Sequence, residues 1–268
     1  MRVQYCSDLH IERFPVGTPF DTFVNPVAPI LVIAGDVCPV SNRLYEQFLQ
    51  WCKTRWSTVI LITGNHEYFC YDGEIRTFDE TDAIVRNISN RLGIYFLQSG
   101  QSIVVPGTNL RFVGATLWSD LDPSIWFEIE KANGDFLQTY QNSFFTVRKT
   151  KPTDICALHA LHKTHLRSSL VSQNGNEQLI VITHHMPTME LLESRYKTHP
   201  LRTCYASAND SLCLPNVAAW ICGHGHRATT MKVHKHGPTF FMNARGYPTQ
   251  IDRVTDIYNP EAAFIVKN

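Results

Sequence analysis

Val59-Ile60-Leu61-Ile62-Thr63-Gly64-Asn65-His66-Glu67 runs from an apolar, β-branched segment through a glycine into three polar side chains. Such a run reads as a buried strand closed by a tight turn, with Asn65, His66 and Glu67 just past its carboxyl end. In open α/β sheets that rim is where ligands bind. The same arrangement recurs on both sides of this stretch. Upstream, Val3-Gln4-Tyr5-Cys6 leads into Ser7-Asp8-Leu9-His10, and Ile30-Leu31-Val32-Ile33-Ala34 leads into Gly35-Asp36. Downstream, Leu179-Ile180-Val181-Ile182-Thr183 leads into His184-His185-Met186-Pro187, and Val217-Ala218-Ala219-Trp220-Ile221-Cys222 leads into Gly223-His224-Gly225-His226. Five buried strands therefore end in residues that carry chemistry.

The intervening chain supports an α/β layered fold. Residues 41–55 place apolar side chains at 44, 45, 48, 49, 51 and 52, which is helical spacing, with Ser41 or Asn42 as cap. Residues 77–92 predict a second helix with Ile84, Val85, Ile88 and Leu92 on one face, and 154–172 a third. Further strands are expected at 94–97, 102–105, 110–115, 239–243 and 263–266. Residues 15–29, with four prolines, read as loop. His159, His162 and His165 recur on the third helix, and we expect them to be solvated or to cap the fold. There are no repeats and no low-complexity linker, so residues 1–268 read as a single domain, with 119–175 a partly helical excursion over the site.

Composition narrows the function. Lys+Arg and Asp+Glu both number 24 in 268 residues, so no basic excess marks a nucleic-acid binder. The eight cysteines contain no Cys-x-x-Cys pair, which argues against a structural zinc ribbon. Met1 leads directly into the first strand without a signal-like segment, and no apolar run approaches the roughly 20 residues of a membrane helix. We therefore expect a cytoplasmic protein with reduced, buried thiols.

In extended backbone, Asp8 and His10 point to one side, and so do His224 and His226. A carboxylate and an imidazole on one side can share a divalent cation. Imidazole, carboxylate and amide oxygen together suit Mn, Fe or Zn better than the purely oxygen-bound Mg or Ca. Two such ions need about seven or eight ligands, one of them shared, and Asp36 offers two oxygens for that bridge. A cation pair about 3.5–4 Å apart activates water and clamps an in-line phosphoryl displacement.

The order Asp-x-His, Gly-Asp, Gly-Asn-His-Glu, His, Gly-His-x-His resembles the calcineurin-like metallophosphoesterase superfamily. The likeness spans Asp8 to His226. The Gly-Asn-His-Glu-Tyr opening (64–68), Gly-Ala-Thr-Leu-Trp-Ser-Asp (114–120) and Asn-Ala-Arg-Gly-Tyr-Pro (243–248) resemble a small microbial branch of it. The resemblance implies a four-layer αββα sandwich of two mixed sheets flanked by helices. It implies two transition-metal ions, manganese foremost, with iron, zinc or nickel as alternatives. By motif position, Asp8, His10 and His226 would hold the first metal, Asp36 would bridge, and Asn65, His184 and His224 would complete the second. His66 would lie over the phosphate, stabilising charge or protonating the leaving oxygen, with Glu67 or Asp36 orienting it, while a bridging hydroxide attacks phosphorus. The motif needs one histidine where two stand. His184 directly follows the strand, which leaves His185 to touch substrate. The Gly-Asp pair is followed by Val37-Cys38 rather than by the second Asp that some branches carry.

These features imply a phosphoester hydrolase, and first of all a phosphodiesterase on small or nucleotide diesters. The competing readings are a phosphomonoesterase or phosphoprotein phosphatase, and a metal-binding scaffold without turnover. A scaffold usually loses ligands, and none is lost here. Arg245 is expected either to contact phosphate or to be structural. Tyr68, Trp118 and Tyr247 are expected either to stack on a base or to pack.

Overall fold

The computed structural model describes residues 1–143, 146–172, 175–250 and 257–266. In chain order the elements are β1 (Arg2–Cys6), β2 (Ile30–Ala34), α1 (Arg43–Lys53), β3 (Thr58–Ile62), α2 (Phe78–Leu92), β4 (Tyr95–Phe96), β5 (Gln101–Val104) and β6 (Leu110–Ala115). Then follow α3 (Trp126–Ala132), α4 (Gly134–Gln138), β7 (Tyr140–Ser143), β8 (Thr146–Lys149), α5 (Pro152–Val171), β9 (Gln178–Thr183), β10 (Val217–Cys222), β11 (Ala228–Met231), β12 (Thr239–Asn243) and β13 (Ala263–Ile265). One sheet has the order β13-β1-β2-β3-β4 and the other β11-β12-β10-β9-β6-β5. The central strands are parallel, while β13, β11 and β5 run antiparallel at the edges, so both sheets are mixed.

Strand residues are apolar on both faces because both faces are covered. Val3, Ile30, Val32, Ile60 and Ile62 meet Phe112, Ile180, Ile182 and Ile221 between the sheets. The alternate residues Leu31, Ile33, Val59 and Leu61 pack outward on Phe48, Leu49 and Val85 of α1 and α2. On the other sheet Val113, Leu179 and Val181 pack outward on Leu166 and Leu170 of α5. Helix, sheet, sheet, helix is the expected four-layer order.

Local signals account for the helix boundaries. Asn42 caps α1 by accepting from the Leu44 amide, and Thr77 and Glu80 form a reciprocal capping box on α2. Gly93 ends α2 in the left-handed conformation at φ 66°. Several sequence-based expectations need correction. His159 and His162 are buried, not solvated. His159 Nδ1 lies 3.1 Å from the Leu117 carbonyl, and His162 Nδ1 accepts from the Leu117 amide. Only part of 119–175 reaches the site, because Leu166 and Leu170 commit the second half of α5 to the outer side of its sheet. The 3-10 turns between Met189 and Leu212, and the β7–β8 hairpin, have no periodic signature in the sequence. Among the described residues no helix is long and apolar enough to cross a membrane.

Candidate active site

The strand ends crowd together at this rim. A Cβ on Gly35 would come 2.7 Å from Gly64 Cα and 2.7 Å from His184 Nδ1. A Cβ on Gly223 would come 2.6 Å from Ser7 Oγ. Glycine at these positions lets the turns after β2, β3, β9 and β10 converge. Glu67 ties two of these turns together, its carboxylate accepting from the amides of Asp36, Val37 and Gly64. It makes no bond to the His66 ring. Asp36 holds His66 instead, accepting its backbone N–H at Oδ1 over 2.8 Å.

The candidate ligands do not project from extended backbone as expected. Asp8, His10, Asp36, His224 and His226 have φ of 51°, 43°, 58°, 64° and 46°. Left-handed conformation costs a non-glycine residue roughly 1–3 kcal/mol and clusters at functional sites. This coiling also overturns the shared side of His224 and His226. Asp8, His10 and His226 form one group, and Asp36, His184 and His224 another, each with its donor atoms within 4.8 Å. Asp36 spans them: Oδ2 lies 3.3 Å from His184 Nε2 and 3.8 Å from His10 Nε2. Asn65 Oδ1 lies 3.1 Å from His184 Nε2. A third group, His10, Glu12 and His66, adjoins the first. Sequence reasoning did not single out Glu12.

These residues fit metal ions. His184 Nδ1 is fixed by the Ala34 carbonyl at 2.8 Å, His226 Nδ1 by Gln250 Oε1 at 2.6 Å, and His224 Nε2 lies 3.2 Å from the Cys204 carbonyl. Each ring thus keeps its other nitrogen for the centre, the arrangement that outer partners impose on metal-binding histidines. His10 Nε2 and His226 Nε2 face each other at 3.2 Å beside Asp8. Such convergence of nitrogens and carboxylates is what a cation would relieve. Charge points the same way. Burial alone would raise the Asp36 pKa, but His184, His66 and His10 hold it well below the usual carboxylate range. Burial alone would lower that of His184, but Asp36 and Asp8 push it up to about 10. The carboxylates demand positive charge, which a proton on His184 or a metal can supply. Burial, reinforced by His184, pushes His224 down to about 3, so its ring is neutral and available as a ligand.

His66 sits beside the first group, its ring 4.5 Å from that of His10 and stacked at 4.2 Å on Phe69. Its Nε2 lies 3.2 Å from the Tyr247 hydroxyl. Asp36, Asn65, His66, His224 and His226 line a cavity of about 660 Å³. Its outer walls come from Arg13, Phe69 and Tyr71, from Asn133 to Asp135 and Gln138 at α4, and from Leu192, Tyr196, Leu201 and Tyr205.

Three expected substrate contacts lie elsewhere. The Tyr68 hydroxyl is buried in bonds to Thr63 and Asp82, and its ring packs on Phe78. The Arg245 guanidinium packs over Phe14, Phe23 and Tyr258 and donates to the Thr22 carbonyl, so it braces the loop 14–23. His185 is 1 % exposed and wedged between Trp118 and His224, behind the cavity wall. Trp118 is stacked on Phe78 in the core. Tyr247 alone of the aromatic candidates reaches the cavity. Asp135, Gln250 and Tyr205 also reach the site, from segments whose sequence carries no strand-end signature.

A family model described as calcineurin-like phosphoesterase matches residues 1–228. The chain is similar to "Uncharacterized protein L509" of Acanthamoeba polyphaga mimivirus, at 23% identity over 268 residues and 92% of each chain. Its fold is similar to the crystal structure of phosphopantetheinyl hydrolase (PptH) from Mycobacterium tuberculosis. That match has a TM-score of 0.70 and 19% identity, and covers 94% of this chain and 92% of the other.

Proposed function

The chain belongs to the calcineurin-like phosphoesterase family, and on that premise we propose that it is a dimetal phosphodiesterase acting on small or nucleotide phosphodiesters. The observation that carries the reading is the position of Asp36 Oδ2 between two histidine groups at the floor of a walled cavity. Asp8, His10 and His226 would hold one ion, Asn65, His184 and His224 the other, and Asp36 both. Bound there, manganese is the ion we favour for this nitrogen-and-oxygen donor set, and the pair would supply an activated water and neutralise phosphate charge. His66 would hold a proton at Nε2 for the leaving oxygen, steadied by Phe69 against its ring. Tyr247, with its hydroxyl on the same nitrogen, would accompany the substrate oxygen.

Two features support a small diester over a phosphoprotein. The cavity is walled by α4 and by the 192–205 turns, whereas a folded protein substrate would need an open groove. Aromatic side chains stand beside both ends of the centre, Phe69 on His66 and Tyr205 at 5.3 Å from His224, as two ester arms would need. On this reading residues 1–268 work as one domain in which 119–175 contributes α4 to the wall. We place it in the cytoplasm, which the eight free cysteines support.

The test is hydrolysis of bis-p-nitrophenyl phosphate and p-nitrophenyl phosphate by metal-stripped protein reloaded with Mn, Zn, Fe, Ni or Mg. We expect metal-dependent turnover, fastest with Mn, and at least about tenfold higher kcat/KM for the diester. Monoester turnover alone would overturn the diester assignment. Two bound ions with no turnover of either ester would overturn the hydrolase.

A further inference from the structure

Outside the strand ends, one carboxylate grips a candidate ligand from a distant part of the chain. We propose that Asp135 is a positioning residue for the second metal, holding the Asn65 amide with its oxygen toward the ion. The inference rests on the dimetal reading above.

An asparagine amide has two nearly isosteric ends, and only the oxygen can ligate. Left to rotate, Asn65 would present either. Asp135 Oδ1 accepts from Asn65 Nδ2 over 2.8 Å. An ionised carboxylate only accepts, so this bond fixes which end of the amide faces Asp135. Oδ1 is thereby turned to the centre, 3.1 Å from His184 Nε2.

Asp135 is itself held. It is 6 % exposed, and its backbone amide donates to Asn133 Oδ1 at the start of α4. The far end of α4 is tied to the turn after β3, where Cys70 donates to the Gln138 carbonyl over 2.8 Å. Between these ties, Gly134 lies so close to Phe69 that a Cβ would come 3.2 Å from the ring, and Phe69 is the ring stacked on His66. One short helix of the covering segment therefore grips both Asn65, through Asp135, and His66, through Phe69. Couplings of this outer kind typically change metal affinity by about 10- to 100-fold.

The test is stepwise Mn titration of the full, metal-stripped chain by calorimetry, with the exchange-coupled EPR signal of the Mn pair as a second readout and no substrate present. We expect Asp135→Leu to weaken the second ion by about 10- to 100-fold, to leave the first within about threefold, and to abolish the coupled signal at two equivalents of metal. Asp135→Asn keeps an acceptor whose own amide can flip. It is expected to give a smaller loss confined to the second ion, and it carries the test if the leucine variant does not fold. Wild-type affinity for both ions in the variants, or equal weakening of both, would overturn the proposal. Asn65→Ala separates the levels. If it leaves the second ion untouched, Asn65 is not a ligand and the proposal fails while the dimetal reading stands; if the parent chain itself takes up fewer than two ions, the dimetal reading fails. If Asn65→Ala loses that ion while Asp135→Leu keeps it, only the role of Asp135 fails.

Discussion

Asp36→Asn is expected to lower diester turnover by about 10³-fold or more, a loss of about 4 kcal/mol in transition-state stabilisation. The size follows from position. Oδ2 lies within reach of a nitrogen in both histidine groups, 3.3 Å from His184 and 3.8 Å from His10. An amide there removes the negative charge that balances two cations, and its NH2 end cannot ligate. The substitution should leave the fold intact. Asparagine tolerates the left-handed φ of 58° better than most residues, and its Oδ1 can still accept the His66 amide. Kinetics at saturating Mn, with unfolding curves in parallel, check this. Turnover within tenfold of the parent protein would remove Asp36 from the centre.

His66→Ala is expected to cost about 10²- to 10⁴-fold in kcat for a diester with an alkoxide leaving group. It should cost far less for one that expels p-nitrophenolate, which leaves without a proton. Metal uptake should be unchanged, because His66 Nε2 faces the Tyr247 hydroxyl and its ring belongs to neither the Asp8, His10 and His226 group nor the Asp36, His184 and His224 group. The ring is buried on Phe69, so some stability is lost as well, and rates are to be compared well below the unfolding transition. An equal loss for both leaving groups would assign His66 to phosphate charge rather than proton transfer.

The rim of the sheets was legible because its signal is local. A β-branched run, a glycine and a polar residue lie within a few positions at 59–67 and 30–36, and the strand ends of the structure fall there. What brings the ligands together was less so. The two-residue spacing of His224 and His226 suggests one shared face, but positive φ at both sends them to different groups. That choice depends on backbone coiling at the rim, where Asp8 accepts the His224 amide. Tyr68 and Arg245 carry the right chemistry in motif-like segments, yet their polar ends are spent on Asp82 and Thr22. Asp135, Gln250 and Glu12 were invisible for the opposite reason. Each reaches the site from a turn or short helix, and the contact of Asp135 with Asn65 crosses 70 residues of chain, beyond any local pattern.

The most direct measurement is anomalous diffraction at the manganese edge from crystals of the metal-loaded chain. Two peaks are expected, one against Asp8, His10 and His226 and one against Asn65, His184 and His224, with Asp36 contacting both. A single peak, two peaks that do not share Asp36, or a peak held by His10, Glu12 and His66 in place of either would contradict the dimetal centre described here.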